Sequence, residues 1–154
     1  MMEQFDTKPA VILLAEDNPA DQEITRRALE DAKVKNDLHV VGDGVEAMEY
    51  LRRQGKYSDS ASSPRPDLLL LDINMPKMDG KQVLEKIKGD EELRTIPVVM
   101  LTTSSHERDV IKSYHLGVNA YILKPVDIGQ FVAVLKNLEE FWFMMVVLPS
   151  KSNI

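Results

Sequence analysis

The chain has no cysteine. Disulfides, thiolate nucleophiles and zinc–thiolate sites are therefore excluded. It also lacks any basic run: the longest clusters are the pairs Arg26-Arg27 and Arg52-Arg53, and the formal net charge is −6. Non-specific nucleic-acid binding depends on Lys and Arg neutralising phosphates, so no nucleic-acid partner is expected. Long apolar runs are missing too. A bilayer span needs roughly 20 consecutive apolar residues, and the longest run near the C-terminus, Phe141–Leu148, falls far short. The opening MMEQFDTKPA has no basic n-region followed by an apolar h-region, unlike a secretory signal. These absences lead to the expectation of a cytoplasmic protein with no membrane partner.

What is present describes an ordinary globular domain. The 154 residues are 44% hydrophobic and 29% charged, which suits a single packed core rather than a disordered chain. After a polar lead over residues 1–9, Val11-Ile12-Leu13-Leu14-Ala15 is a compact apolar run. It suits a strand buried on both faces. Asn18-Pro19 is a helix-start signal. Ile24, Ala28 and Ala32 at four-residue spacing then predict a helix over 19–32 with those residues inward. His39-Val40-Val41 reads as a second strand, and residues 45–54 as a helix with Ala47, Met48 and Leu51 inward. The stretch 55–66, GKYSDSASSPRP, reads as a flexible loop longer than the usual connection.

The alternation then continues. Leu68–Leu71 is a third strand, and Val83, Leu84 and Ile87 mark a third helix. Val98–Leu101 is a fourth strand. Val110, Ile111 and Tyr114 mark a fourth helix, closed by Gly117 and containing His106 and His115. Ala120–Leu123 is a fifth strand, and a last helix begins near Asp127, with Phe131, Leu135, Leu138 and Trp142 on one face. Buried strands joined by helices predict an α/β fold with a parallel sheet covered on both faces, a (βα)5 three-layer sandwich. The flavodoxin-like strand order 2-1-3-4-5 suits five strands in one domain, although the pattern by itself does not single it out.

Ligands in such sheets bind at the carboxyl ends of the strands. Strand one is followed by Glu16 and Asp17, strand three by Asp72, strand four by Thr102 and Thr103, and strand five by Lys124. Taken singly, each has an ordinary explanation: an acidic helix cap, a turn, a loop. Their recurrence at four strand ends is harder to explain as independent caps. Three carboxylates in one pocket repel, so without a cation at least one should have its pKa raised. All candidate ligands are oxygens, which favours Mg2+ over zinc. None of the three histidines falls at a strand end on that edge.

The segments LLAEDNPAD, LLLDINMPKMDG, VVMLTTS and AYILKP resemble the four signature segments of response-regulator receiver domains. The resemblance covers residues 10–140. It implies Asp72 as phosphoacceptor. It further implies Mg2+ held by Glu16, Asp17, Asp72 and the backbone carbonyl of Asn74. It makes Thr102 a switch hydroxyl, Tyr121 an aromatic switch, and Lys124 the contact to the phosphoryl group, with a cis bond between Lys124 and Pro125. The implied function is that of a two-component signalling switch rather than an enzyme with a separate substrate. It would accept a phosphoryl group from a histidine kinase or phosphotransfer protein and respond on the surface of helix four, strand five and helix five.

Residues 141–154 depart from a plain receiver. After Glu139-Glu140 the chain reads FWFMMVVLP. Phe141, Phe143, Met144 and Val147 add apolar surface beyond the core-facing stripe, and a monomer rarely exposes such a patch. Either the tail folds back over its own domain or, as expected here, it builds a homodimer interface with helix five. This tail, the long loop and LTTSSHERDVIKSYHLGVNAYILKP resemble the single-domain regulators that partner phytochrome-type histidine kinases. That subgroup also serves other sensor kinases. The few residues after 140 leave no room for an effector domain, so output is expected through protein contacts.

Three other readings compete with this one. An FMN carrier of the same fold would want a hydroxyl- and Gly-rich phosphate loop, whereas EDNPAD is acidic. An aspartyl-phosphate phosphatase would carry a second Asp two residues after the first, where this chain has Asn74. A receiver working by contacts alone would not need Asp72, Thr102 and Lys124 together.

Overall fold

The computed structural model describes residues 9–33 and 35–138. Five strands alternate with five helices. They are β1 (Ala10–Ala15), α1 (Pro19–Asp31), β2 (Asn36–Val41), α2 (Gly44–Arg52), β3 (Leu68–Asp72), α3 (Gly80–Lys88), β4 (Val98–Thr102), α4 (Ser105–Lys112), β5 (Ala120–Leu123) and α5 (Ile128–Lys136). The sheet order is β2-β1-β3-β4-β5 and every pairing is parallel. This is the flavodoxin-like three-layer arrangement expected above. The cis peptide Lys124–Pro125 is present.

The strands alternate between two cores, which is why they read as unbroken apolar runs. Leu13, Leu69, Leu71 and Met100 pack with Ala47, Leu51, Leu84 and Ile111 of α2, α3 and α4. Ile12, Leu14, Leu70 and Leu101 pack with Ala28, Leu29, Phe131 and Leu135 of α1 and α5. Leu68, Leu69, Leu70 and Leu71 are all fully buried, as the central strand of a sheet covered on both faces requires.

The helix starts are set by local chemistry. Asn18 Oδ1 accepts the N–H groups of Ala20 and Asp21, with Pro19 in the first turn. Asp79 and Gln82 form a reciprocal capping box for α3. Asp43, Ser104 and Asp127 cap α2, α4 and α5.

Several expectations are corrected. In α1 the buried face is Thr25, Ala28, Leu29 and Ala32, while Ile24 stays 37% exposed. Ala28 and Ala32 keep their inward places, and Thr25 rather than Ile24 completes the buried face one turn earlier. In α4 only Ile111 is buried, and Val110 and Tyr114 are exposed. That helix stops at Lys112, with Ser113 Oγ donating to the Val110 carbonyl. Gly117 and His115 therefore lie beyond it, both with positive φ. The 55–66 stretch is not a loose connection. It contains a 3-10 turn at Gly55–Tyr57. Ser63 is buried, and its hydroxyl bonds to the carbonyls of Tyr57 and Asp59, while Tyr50 Oη donates to the Pro64 carbonyl at 2.8 Å. Residues 1–8 of the lead, Trp142, the 141–154 extension and its interface candidates Phe141, Phe143, Met144 and Val147 lie outside the described residues.

Candidate functional site

The strand registers bring the carboxyl ends level. Ala15 pairs with Leu71, Asp72 with Leu101 and Thr102 with Leu123. The residues that follow these ends therefore meet. Glu16 and Asp72 are buried, and Asp17 is exposed at the rim. One carboxylate oxygen from each of Glu16, Asp17 and Asp72 lies within 4.8 Å of the others.

Lys124 enters from the loop after β5. Its ammonium stands 2.9 Å from Glu16 Oε1, 3.1 Å from Asp72 Oδ2 and 3.1 Å from Asp21 Oδ2. The ammonium thus neutralises part of a crowded negative cluster. Burial costs the Lys124 cation, but the bonds to Glu16, Asp72 and Asp21 outweigh that and hold its pKa above the ordinary lysine value. The rise expected for one acid falls on Glu16. Burial pushes it up most, the Lys124 bond opposes, and the Asp72 charge adds to the rise, leaving it at about 7.

Backbone geometry fixes Asp72 further. The Asn74 N–H lies 3.3 Å from Asp72 Oδ1, so the Asn74 peptide stands beside the acidic cluster. Gly80 opens α3 directly behind: a Cβ there would meet the Asp72 carbonyl oxygen at 2.3 Å. Only glycine permits that approach.

Thr102 is fully buried at the end of β4. Its hydroxyl donates toward Glu107 Oε1 and the Ser104 carbonyl, each at 2.9 Å. Its backbone carbonyl accepts from Lys124 N at 2.7 Å. Tyr121 is half-buried in β5, with Lys112 Nζ 5.5 Å from its ring centroid; burial raises its phenol pKa, opposed by the charge of Arg108.

Two participants escaped the sequence reading. Asp21 reaches Lys124 from the first turn of α1, and the run EDNPAD contained it without marking it. Glu107 gathers Thr102, Thr103 and Asn74. Burial alone would raise its pKa, but the bonds from Asn74, Thr103 and Thr102 bring it below the usual glutamate value. Its only sequence signal was the S-x-x-E spacing from Ser104, which reads as a helix cap.

The donor set can be tested for a cation. Three hard carboxylate oxygens on one rim, one of them forced toward protonation, suit a divalent metal. Among the described residues this is the group of acids that could hold one.

Residues 12–136 match the response regulator receiver domain, and the chain belongs to that family of phosphorylation-dependent two-component signalling proteins. It is 42% identical over 149 residues to the response regulator Rcp1 of Synechocystis sp., covering 97% of this chain and 99% of Rcp1. Among solved structures it resembles the bacteriophytochrome response regulator RtBRR, with a TM-score of 0.82 and 47% identity over 88% of this chain and 81% of the other. The phosphorylated cyanobacterial phytochrome response regulator RcpA gives a TM-score of 0.71 and 46% identity, covering 88% and 95%. The Mn(2+)-bound form of Rcp1 gives 0.70 and 45%, covering 87% and 94%. Receiver domains bind divalent metal and work with histidine kinases. Among the described residues, no helix is long and apolar enough to cross a membrane.

Proposed function

We propose that this chain is a phosphoryl-accepting switch whose acceptor is Asp72 and whose donor is a phosphohistidine on a histidine kinase or phosphotransfer protein. The observation that carries the reading is Lys124 Nζ at 3.1 Å from Asp72 Oδ2, inside a cluster of three carboxylates at the strand ends. In the transfer, an Asp72 oxygen forms a bond to phosphorus and the donor's N–P bond breaks. The imidazole leaves, carrying its nitrogen lone pair, and is then protonated. Lys124 places a positive charge beside the incoming oxygens. Glu16, Asp17, Asp72 and the Asn74 carbonyl would hold Mg2+, which supplies further charge neutralisation when bound. Thr102 would donate its hydroxyl to a phosphoryl oxygen, leaving space for Tyr121. That links a local charge event to the face of α4, β5 and α5. The chain would catalyse its own phosphorylation and dephosphorylation and turn over no separate substrate.

The similarity to Rcp1, RtBRR and RcpA supports a kinase of the phytochrome type; the receiver unit over 10–140 would act in the cytoplasm. A homodimer built on the α4–β5–α5 face, extended by Phe141, Phe143, Met144 and Val147, accords with the exposed Val110, Tyr114, Leu123 and Ile128. The test is intact mass after incubation with Mg2+ and acetyl phosphate. A Mg2+-dependent gain of one phosphoryl group, absent from Asp72→Asn, is the expected result. An equal gain in the variant would overturn the assignment.

A further inference from the structure

Glu107 holds more of the switch region than a helix cap would. In a capping box the third-residue glutamate returns to the backbone N–H of the cap, here Ser104. Half of that box is present, since Ser104 Oγ accepts the Glu107 N–H at 3.1 Å. The other half is replaced: the Ser104 N–H turns to Thr102 Oγ1 at 3.3 Å. Glu107 Oε1 instead takes the Thr102 hydroxyl at 2.9 Å, the Thr103 N–H at 3.1 Å and the Thr103 hydroxyl at 3.2 Å. Its other oxygen takes the Asn74 side-chain amide at 2.5 Å. One carboxylate thus ties the end of β4, the loop before α4 and the loop after β3.

A hydroxyl carries one proton. While the Thr102 proton is directed to Glu107 and the Ser104 carbonyl, it cannot be donated to an oxygen on Asp72. We propose that Glu107 is a positioning residue that latches Thr102 in its resting orientation, so that occupation of the Asp72 site must break the Thr102–Glu107 bond. This rests on the reading of Asp72 as phosphoacceptor. Since the latch stabilises the resting arrangement only, weakening it shifts the population toward the occupied one.

The experiment uses the full chain with Mg2+ and beryllofluoride as the phosphoryl mimic, its affinity measured by calorimetry, alongside the rate of phosphoryl gain from acetyl phosphate. Four proteins are compared: wild type, Glu107→Gln, Thr102→Ala and the double variant. A bond to an ionised, half-exposed carboxylate is worth about a threefold to tenfold change in such an equilibrium. Glu107→Gln should therefore bind beryllofluoride about threefold to tenfold more tightly and gain phosphoryl faster by a similar factor. In the Thr102→Ala background the same substitution should change nothing, because the coupling runs through that hydroxyl. Glu107→Asp keeps the charge but withdraws the carboxylate by one methylene, and it should shift affinity in the same direction. It also guards against a Gln variant that fails to fold. An unchanged or weakened affinity in Glu107→Gln, an equal gain with and without Thr102, or wild-type affinity in Glu107→Asp would overturn the latch while leaving the acceptor assignment standing. A wild type that neither binds beryllofluoride nor gains phosphoryl would overturn both.

Discussion

Lys124 Nζ lies 3.1 Å from Asp72 Oδ2 although the two are 52 residues apart in the chain. Both side chains are nearly enclosed, at 11% and 2% exposed. The pair therefore meets in a setting where losing the cation, which leaves buried acids unpaired, matters more than the pair's net worth.

Removing the two partners should have unequal effects, because only Lys124 is the cation of a cluster of acids. Lys124→Gln strands Glu16 and Asp72 without their cation and should destabilise the metal-free protein by about 3 kcal/mol. Asp72→Asn removes one of the repelling acids while Lys124 keeps Glu16 and Asp21. It should be neutral or stabilising by about 1 kcal/mol. Urea unfolding in the presence of a chelator measures both, and two losses of equal size would contradict the charge arrangement.

The pH dependence of the metal-free protein follows from Glu16. Its folded pKa of about 7 lies above the ordinary 4.5, so the folded state binds the proton more tightly than the unfolded one. The associated stability is fully present below pH 4.5 and is lost as pH rises to about 7, at roughly 1 kcal/mol per pH unit. Lys124, held above its ordinary value, loses its contribution only at strongly alkaline pH. Melting curves between pH 5 and 8 should fall with pH for wild type and flatten for Glu16→Gln. Parallel curves would refute the assignment.

Asp17 should separate metal binding from folding. It is exposed at the rim of the cluster, so Asp17→Asn should change metal-free stability by no more than about 0.5 kcal/mol. The same substitution removes a carboxylate of the proposed metal site and should weaken Mg2+ binding by about tenfold or more. Calorimetric titration with Mg2+ reads the second quantity and thermal melting the first.

Gly80→Ala should damage the site through packing alone. The added methyl would overlap the Asp72 carbonyl, at 2.3 Å. Overpacking of this kind costs about 1–3 kcal/mol, and relief requires moving α3 or the end of β3. A melting temperature drop together with slower phosphorylation from acetyl phosphate is the expected result.

The folded 55–66 segment should yield a purely structural effect. Tyr50→Phe deletes the bond from Tyr50 Oη to the Pro64 carbonyl and should cost about 1 kcal/mol. It should leave the rate of phosphoryl gain unchanged, since this loop lies at the edge of the sheet away from Asp72. A slowed reaction would contradict that separation.

The amino-acid order alone was enough to mark the strands and the chemistry at their ends. A parallel strand covered on both faces must be apolar throughout, so Leu68–Leu71 announced itself, and the first polar residue beyond it was the site residue Asp72. The helix starts were legible for a similar reason: Asn18-Pro19 and Asp127 satisfy free N–H groups within a few residues of themselves. What stayed hidden depends on partners far along the chain. Whether Ile24 or Thr25 faces inward, and whether Val110 and Tyr114 are covered, is decided by how closely α1 and α4 sit on the sheet. Lys124 reaches Glu16 across 108 residues, and Glu107 reaches Asn74 across 33. Sequence spacing fixes which groups stand at each strand end. Only the packing of the layers decides which hydroxyl, amide or ammonium turns to which carboxylate, because those contacts are made between elements and not within them.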